Sequence, residues 1–182
     1  MTKQVLVPIA DGTEELEVVA LIDILRRGGA QVTVASVCDL AVKTAHGLSI
    51  VADCLLRDCS KKQYDLIVLA GGSKGAEHFR DDKLLVSLLK EQKDSGRLYA
   101  AICASPAVVF EHHGLLQGKK ATTYPSYVLM LKDQSRAQEL VVIDGNCITS
   151  QAPGTAIQFS LTLAEKLFGG HARKQLEQDL VV

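Results

Sequence analysis

The sequence contains no tryptophan, and aromatic residues make up only 4% of its 182 residues. Single-stranded nucleic acids are usually held on stacked aromatic rings, so this scarcity argues against a nucleic-acid partner. The net charge is −1 without a dominant basic patch, which removes the electrostatic support that such a partner also needs. No apolar run approaches the ~18 residues of a membrane-spanning helix, so we expect no membrane partner.

Regular cysteine spacing is missing as well. The five cysteines are odd in number and irregularly placed, which argues against the disulfide framework of a secreted protein. The closest pair, Cys54 and Cys59, has no second pair at the spacing of zinc ligands. The N-terminal segment MTKQVLVPIA leads directly into a strand-like run and lacks the pattern of a signal peptide. We therefore expect a cytoplasmic protein that needs no metal ion or organic cofactor.

Short apolar strands alternate with amphipathic helices along the chain. Strands that are apolar throughout, separated by helices of about 10–15 residues, are typical of a parallel sheet covered on both faces. The sequence therefore predicts a single domain over residues 1–182. Its expected architecture is a three-layer α/β sandwich, with a mostly parallel, flavodoxin-like sheet, helices on both faces and a small β-hairpin. The predicted strands are 4–10, 31–37, 64–70, 98–102, 119–123, 140–143 and 147–150, the hairpin is 40–43 with 48–52, and the helices include 14–27, 81–93 and 155–168, with a helix or strap over 173–182.

Polar loops follow several of the predicted strands. Three of them are Asp11-Gly12-Thr13, Gly71-Gly72-Ser73 and Cys103-Ala104-Ser105. Ligands of open α/β sheets bind at the carboxyl ends of the strands, so we expect these loops to meet at one edge of the sheet.

Cys103 stands where a strand ends and a helix is predicted to begin, with Ser105 as its cap and Pro106 as its first residue. Small neighbours give this turn the pattern of a nucleophile elbow, with cysteine in place of serine. Amides at a helix N-terminus favour a thiolate and an oxyanion. We therefore expect a lowered thiol pKa and oxyanion donors at Ala104 and Gly72. A buried structural cysteine is the alternative interpretation.

Acidic residues of the first predicted helix belong to the same edge of the sheet. Glu14 and Glu15 complement the helix dipole, which is a sufficient reason for their presence. Glu17 lies one turn further, on the face that it shares with Leu21, and we expect it to point inward. A carboxyl buried beside a thiolate has a raised pKa and can donate a hydrogen bond to the sulfur.

Together these residues resemble the ThiJ/PfpI superfamily and, within it, the Parkinsonism-associated deglycase (DJ-one-like) clade. The resemblance covers nearly the whole chain and rests on VLVPIADGTEELE (5–17), YDLIVLAGG (64–72) with KGAE (74–77), AAICASP (100–106) and TSQAPGT (149–155). It implies that Cys103 is a reactive, oxidation-sensitive nucleophile and that Glu17 is a protonated carboxyl hydrogen-bonded to it. It also implies an oxyanion pocket framed by Gly71, Gly72 and Ala104. The family further implies a homodimer.

Two residues depart from the pattern of the clade. Tyr124 follows Thr122-Thr123, where a histidine is common, and His46 stands in the hairpin, where relatives often carry an arginine. We expect both to contact substrate: Tyr124 as a hydrogen-bond donor that is a poor base, His46 as a pH-dependent anion contact. Ala104 replaces the histidine that directly follows the cysteine in protease members, so proteolysis is not expected.

The resulting hypothesis is a cofactor-free, cysteine-dependent deglycase or glyoxalase. Activities ascribed to the family imply substrates such as methylglyoxal-type 2-oxoaldehydes, or their early adducts on a glycated protein. The alternative is a non-enzymatic redox sensor or chaperone that acts through oxidation of Cys103. Nucleotide binding has little support, because GGSKG (71–75) fits neither phosphate-binding glycine pattern.

Overall fold

The computed structural model describes residues 2–182, which form a seven-stranded sheet and a separate two-stranded hairpin. The strands are β1 (Gln4–Ile9), β2 (Gln31–Ser36), β3 (Ala41–Lys43), β4 (Ser49–Val51), β5 (Cys54–Leu55), β6 (Leu66–Leu69), β7 (Leu98–Ile102), β8 (Val141–Asp144) and β9 (Cys147–Ser150). The large sheet has the order β5-β2-β1-β6-β7-β9-β8, and β3 pairs with β4. Every neighbouring pair of the large sheet is parallel except β8 with β9.

Helices cover both faces of this sheet. They are α1 (Glu15–Arg27), α2 (Leu56–Cys59), α3 (Ser73–Asp81), α4 (Lys83–Asp94), α5 (Ala156–Phe168) and α6 (Gly170–Leu180), with a π-helical turn at Pro106–Glu111 and 3₁₀ turns at Pro125–Met130 and Pro153–Thr155. On one side α1 packs against α5, which packs against α6, and on the other α3 packs against α4 and the π-helical turn. The expected three-layer sandwich with its small hairpin is therefore confirmed. Within residues 2–182, no helix combines the length and apolarity needed to cross a membrane.

The central strands show why the apolar pattern predicted this sheet. Every residue of β6 is buried, as is every residue of β1 after Gln4 and of β7 after Leu98. A parallel strand with helices above and below has no face left for polar side chains. Polar chemistry is thereby confined to the loops at the strand ends.

Two predicted elements are wrong in detail. Residues 119–123 are not a strand, because backbone N–H groups that would bond a neighbouring strand donate to side chains. The Lys120 amide donates to the Asp144 carboxylate and the Thr122 amide to the Thr149 hydroxyl. The helix predicted over 81–93 begins at Lys83, where the Asp82 carboxylate accepts the Leu85 amide at 2.7 Å. Helix α3 precedes it and was not predicted, because its sequence SKGAEHFRD contains a glycine and few apolar residues.

Phe110 tests how much the core beneath the π-helical turn contributes to stability. Its ring is fully buried and lies 5.3 Å from the ring of Tyr99. Phe110→Ala should lower the free energy of unfolding by about 3–5 kcal/mol in urea denaturation, because it leaves a cavity. Leu129→Ala, at a side chain that is 88% exposed, is the control and should change stability by less than about 0.5 kcal/mol. Equal losses in the two variants would contradict this account of the core.

Candidate active site

The three loops at the ends of β1, β6 and β7 meet, as the parallel topology predicts. The Glu14 amide donates to the Gly71 carbonyl at 3.1 Å, which joins the first loop to the second. The Ser105 hydroxyl donates to the Ala70 carbonyl at 2.6 Å, which joins the third loop to the second. Ser105 therefore links two loops and does not cap a helix, contrary to the prediction from its position before Pro106.

Cys103 occupies a strained turn that its neighbours hold in place. Its φ of 64° lies in the left-handed region, which costs energy for a residue other than glycine. The Cys103 amide donates to the Ser150 carbonyl at 3.1 Å. The Cys103 carbonyl accepts the Thr123 hydroxyl at 2.7 Å and the Tyr124 amide at 2.8 Å. These bonds keep the side chain at the sharp elbow expected of a nucleophile.

Neighbouring atoms lie so close to residues 71 and 72 that a side chain at either position would overlap them, so both must be glycine. A Cβ on residue 71 would overlap the Cys103 Cβ and lie 2.9 Å from its Sγ. Gly72 has a φ of 81°, and a Cβ there would overlap the Gly12 carbonyl. The absence of these side chains lets the Gly72 amide reach the Cys103 sulfur, which also receives the Ala104 amide. Both predicted oxyanion donors thus surround the thiol.

Glu17 is fully buried beside this thiol, as its place on the inner face of α1 predicts. Its Oε2 accepts the Gly71 amide at 2.6 Å, and its carboxyl lies within hydrogen-bonding reach of Cys103. Burial raises the pKa of Glu17 to about 7, with a smaller contribution from the charge on Glu14. Its Oε1 is buried without a hydrogen-bond partner, an arrangement that costs less for a neutral carboxyl than for a charged one.

The expected lowering of the Cys103 pKa is wrong. Burial, followed by the negative charge of Glu17, raises the pKa of the thiol to about 12, although the Gly72 and Ala104 amides act in the opposite direction. Only 8% of the Cys103 residue is exposed, so little water is available to stabilise a thiolate. The two acids disfavour a double negative charge. A hydrogen bond with the Cys103 thiol favours the charged form of Glu17 and so opposes the effect of burial on its pKa.

His46 lies next to the start of α1, whereas Tyr124 lies beside Cys103. The His46 Nδ1 lies 3.3 Å from Glu15 and 3.8 Å from Glu14, so its contacts run to the start of α1. Potential metal-ligating atoms of these three residues lie within 4.8 Å of one another, but both carboxylates already accept backbone amides. Tyr124 binds the Cys103 carbonyl through its backbone, and its side chain is 40% exposed. Substrate contact by either side chain stays a prediction.

Sequence reasoning missed two anchors of the elbow. Thr123 holds the Cys103 carbonyl through its hydroxyl, and Ser150 holds the Cys103 amide through its carbonyl. The only signal for Thr123 was its place in the threonine pair before Tyr124. Ser150 belongs to β9, and its contact depends on the sheet order, which a local pattern does not contain.

A cavity of about 460 Å³ opens next to the double-glycine turn. Its lining includes Gly12 and Ser73 together with three charged residues, Asp11, Lys43 and Lys74. This space adjoins the predicted oxyanion pocket, because Ser73 directly follows Gly72.

Comparisons with known proteins agree with this geometry. The chain matches the DJ-1/PfpI family over residues 3–166. It is 50% identical over its whole length to Protein DJ-1 homolog B of Arabidopsis thaliana, but spans only 42% of that protein. It is 36% identical to the glutathione-independent glyoxalase DJR-1.2 of Caenorhabditis elegans, with 97% of this chain and 94% of that protein covered.

A solved structure extends the similarity to three dimensions. The oxidised DJ-1 of Toxoplasma gondii superposes with a TM-score of 0.96 at 42% identity, covering 99% of this chain and 98% of that one. Both the sequence match and the shared fold span nearly the entire chain, and the chain belongs to the DJ-1/PfpI family.

Proposed function

We propose that this chain is a glyoxalase or deglycase that uses Cys103 as nucleophile toward 2-oxoaldehydes such as methylglyoxal, or toward their early protein adducts. The pairing of a buried carboxyl with a thiol inside an amide-lined turn carries the proposal. The glyoxalase named among the relatives supports this class of reaction. Every step below uses only side chains, amides and water.

The first step is addition of the sulfur to the aldehyde carbon. The Cys103 proton passes to the Glu17 carboxylate as the carbon–sulfur bond forms, and the carbonyl electron pair moves to oxygen. The amides of Gly72 and Ala104 point toward the sulfur and can stabilise that developing charge. Glu17 then returns the proton to this oxygen, which gives a neutral hemithioacetal. For an early protein adduct, the sulfur displaces the amine or thiol of the modified residue at the same carbon, and Glu17 passes the Cys103 proton to the departing nitrogen or sulfur.

The second step is an isomerisation. The Glu17 carboxylate removes the proton from the carbon that carries sulfur, and the ketone oxygen gains a proton as a carbon–carbon double bond forms, which gives an enediol. Glu17 then delivers its proton to the neighbouring carbon, while the hydroxyl on the sulfur-bearing carbon gives up its proton and becomes the thioester carbonyl. The hemithioacetal thereby becomes the thioester of a 2-hydroxy acid, which is its isomer, so no oxidant is needed. Water then cleaves the thioester to the hydroxy acid and the free thiol. A carboxyl with a pKa of about 7 exchanges protons readily near neutral pH.

Oxidation of Cys103 is the second candidate function. The similar DJ-1 structure from Toxoplasma gondii is that of an oxidised protein. In this chain the Gly72 and Ala104 amides are placed to donate hydrogen bonds to sulfinate oxygens. Two equivalents of hydrogen peroxide convert a thiol to a sulfinic acid and release two water molecules. A redox sensor or chaperone would use the same sulfur without turnover.

We further propose that the chain forms a homodimer through the outer face of α1. Leu16 and Val19 are 53% and 51% exposed on that face, and Leu48 is 50% exposed on the neighbouring hairpin. The Gly12 amide joins the start of α1 to this hairpin by donating to the Lys43 carbonyl at 2.7 Å. Exposed apolar side chains that cluster in this way are typical of protein interfaces.

Substitution of the two reacting groups tests the enzymatic proposal. Cys103→Ser should lower the rate of methylglyoxal loss at least about 100-fold, because the nucleophile is gone. Glu17→Gln should lower kcat about 100-fold to 10,000-fold, because the amide cannot relay protons. Cys38→Ser is the matched control, since Cys38 is a half-buried thiol after β2, outside the site. Full activity in Cys103→Ser would reject the mechanism.

The buried Glu17 should also make stability depend on pH. Its folded-state pKa of about 7 lies above the ordinary 4.5, so its stabilising contribution is present below pH 4.5 and lost as the pH rises through 7. Wild type should lose about 3 kcal/mol relative to Glu17→Gln over this range. Urea denaturation of both proteins at several pH values measures the difference, and other groups cancel in the comparison. A constant difference would show that Glu17 titrates normally.

Graded peroxide treatment separates the two candidate functions. We expect two oxygen atoms to accumulate on Cys103 at doses that leave Cys38 unmodified, because the Gly72 and Ala104 amides can bind the oxygens of the product at Cys103, whereas one backbone amide, that of Asp11, faces Cys38. Peptide mass spectrometry measures the addition, and methylglyoxal turnover is followed in parallel. Selective oxidation of a protein without measurable turnover would favour the sensor. Equal oxidation of Cys38 and Cys103 would argue against it.

A further inference from the structure

Residues 123–127, which lead into the 3₁₀ turn Pro125–Met130, contact both Cys103 and the start of α3. Just before this turn, the Thr123 hydroxyl and the Tyr124 amide both bind the Cys103 carbonyl. Within it, the Tyr127 hydroxyl donates a hydrogen bond of 2.8 Å to the Ser73 hydroxyl, 54 residues away in sequence. One short segment therefore contacts both the Cys103 backbone and the residue that follows Gly72.

The contact with Ser73 matters because the double-glycine turn has few side chains of its own to hold it. Helix α3 begins at Ser73 without a side-chain cap. From the α1 side, the turn is held by the Glu14 amide on the Gly71 carbonyl and by Glu17 on the Gly71 amide. Tyr127 supplies a hydrogen bond from a different element.

We propose that Tyr127 is a positioning residue for the Cys103 site. Through Ser73 it keeps the Gly72 amide directed at the Cys103 sulfur, while the Tyr124 amide binds the Cys103 carbonyl. Its effect on catalysis rests on the proposed function, but its effect on the reactivity of the thiol does not. Its ring also packs near the ring of Tyr124, at a centroid distance of 6.5 Å, so loss of the hydroxyl alone leaves an aromatic ring in place.

Removal of either end of this hydrogen bond tests the proposal. Tyr127→Phe and Ser73→Ala should each lower kcat for methylglyoxal about twofold to tenfold with KM unchanged, as expected for one hydrogen bond. Each should slow alkylation of Cys103 by iodoacetamide at pH 8 by a similar factor, because a displaced Gly72 amide stabilises the thiolate less. Peptide mass spectrometry follows Cys103 separately from the other cysteines. The double variant should be no slower than either single variant, because all three lack the same bond.

Tyr64→Phe is the matched control. The Tyr64 hydroxyl donates to the Cys59 carbonyl at 3.1 Å, and Cys59 ends α2, away from the double-glycine turn. This variant should lose stability without a change in kcat or in Cys103 alkylation. Unchanged or faster alkylation in Tyr127→Phe, or an equal loss in Tyr64→Phe, would overturn the proposal. If wild type has no turnover, the alkylation rates alone decide the role of Tyr127, so failure of the proposed function is distinguishable.

Discussion

The contact between a buried carboxyl and a buried thiol is the constraint on which the rest of the site depends. Glu17 and Cys103 are both removed from water, and the charge of Glu17 disfavours a thiolate at Cys103, whereas a hydrogen bond with the thiol favours the charged form of Glu17. The surrounding groups that offset this cost are backbone amides, which donate without bringing a charge of their own. Such a pair holds one proton easily and two negative charges poorly, which is the property a proton relay requires.

The sheet explains how residues far apart in sequence supply this pair and its donors. Helix α1 follows β1, the double-glycine turn follows β6 and Cys103 follows β7, and these three strands are neighbours in parallel register. Their carboxyl ends therefore meet without any long connection. Close packing then restricts side chains at the turns, and Gly71 and Gly72 bring backbone to where a side chain would otherwise stand.

Much of this arrangement could be predicted from the sequence, and the remainder depends on tertiary structure. Apolar strands and their polar ends placed Cys103, Glu17 and the glycines at one edge. Helix α3 was missed because it contains too few apolar residues to show helical spacing in the sequence. The segment 119–123 resembled a strand in sequence, although its backbone amides donate to side chains and not to a neighbouring strand. The direction of the thiol pKa was missed for a different reason. A local pattern shows the helix that follows a cysteine, but not how deeply folding removes the sulfur from solvent.

The left-handed backbone of Cys103 has a consequence for how this protein tolerates change. Glycine adopts that conformation without penalty, whereas a residue with a Cβ incurs strain. Selection for thermal stability alone would therefore favour glycine at this position, and the proposed chemistry of the thiol is a reason to retain cysteine. If the proposed function holds, activity and robustness are opposed at this single position, so a descendant with glycine there would be free of the backbone strain but would lack the chemistry of the sulfur.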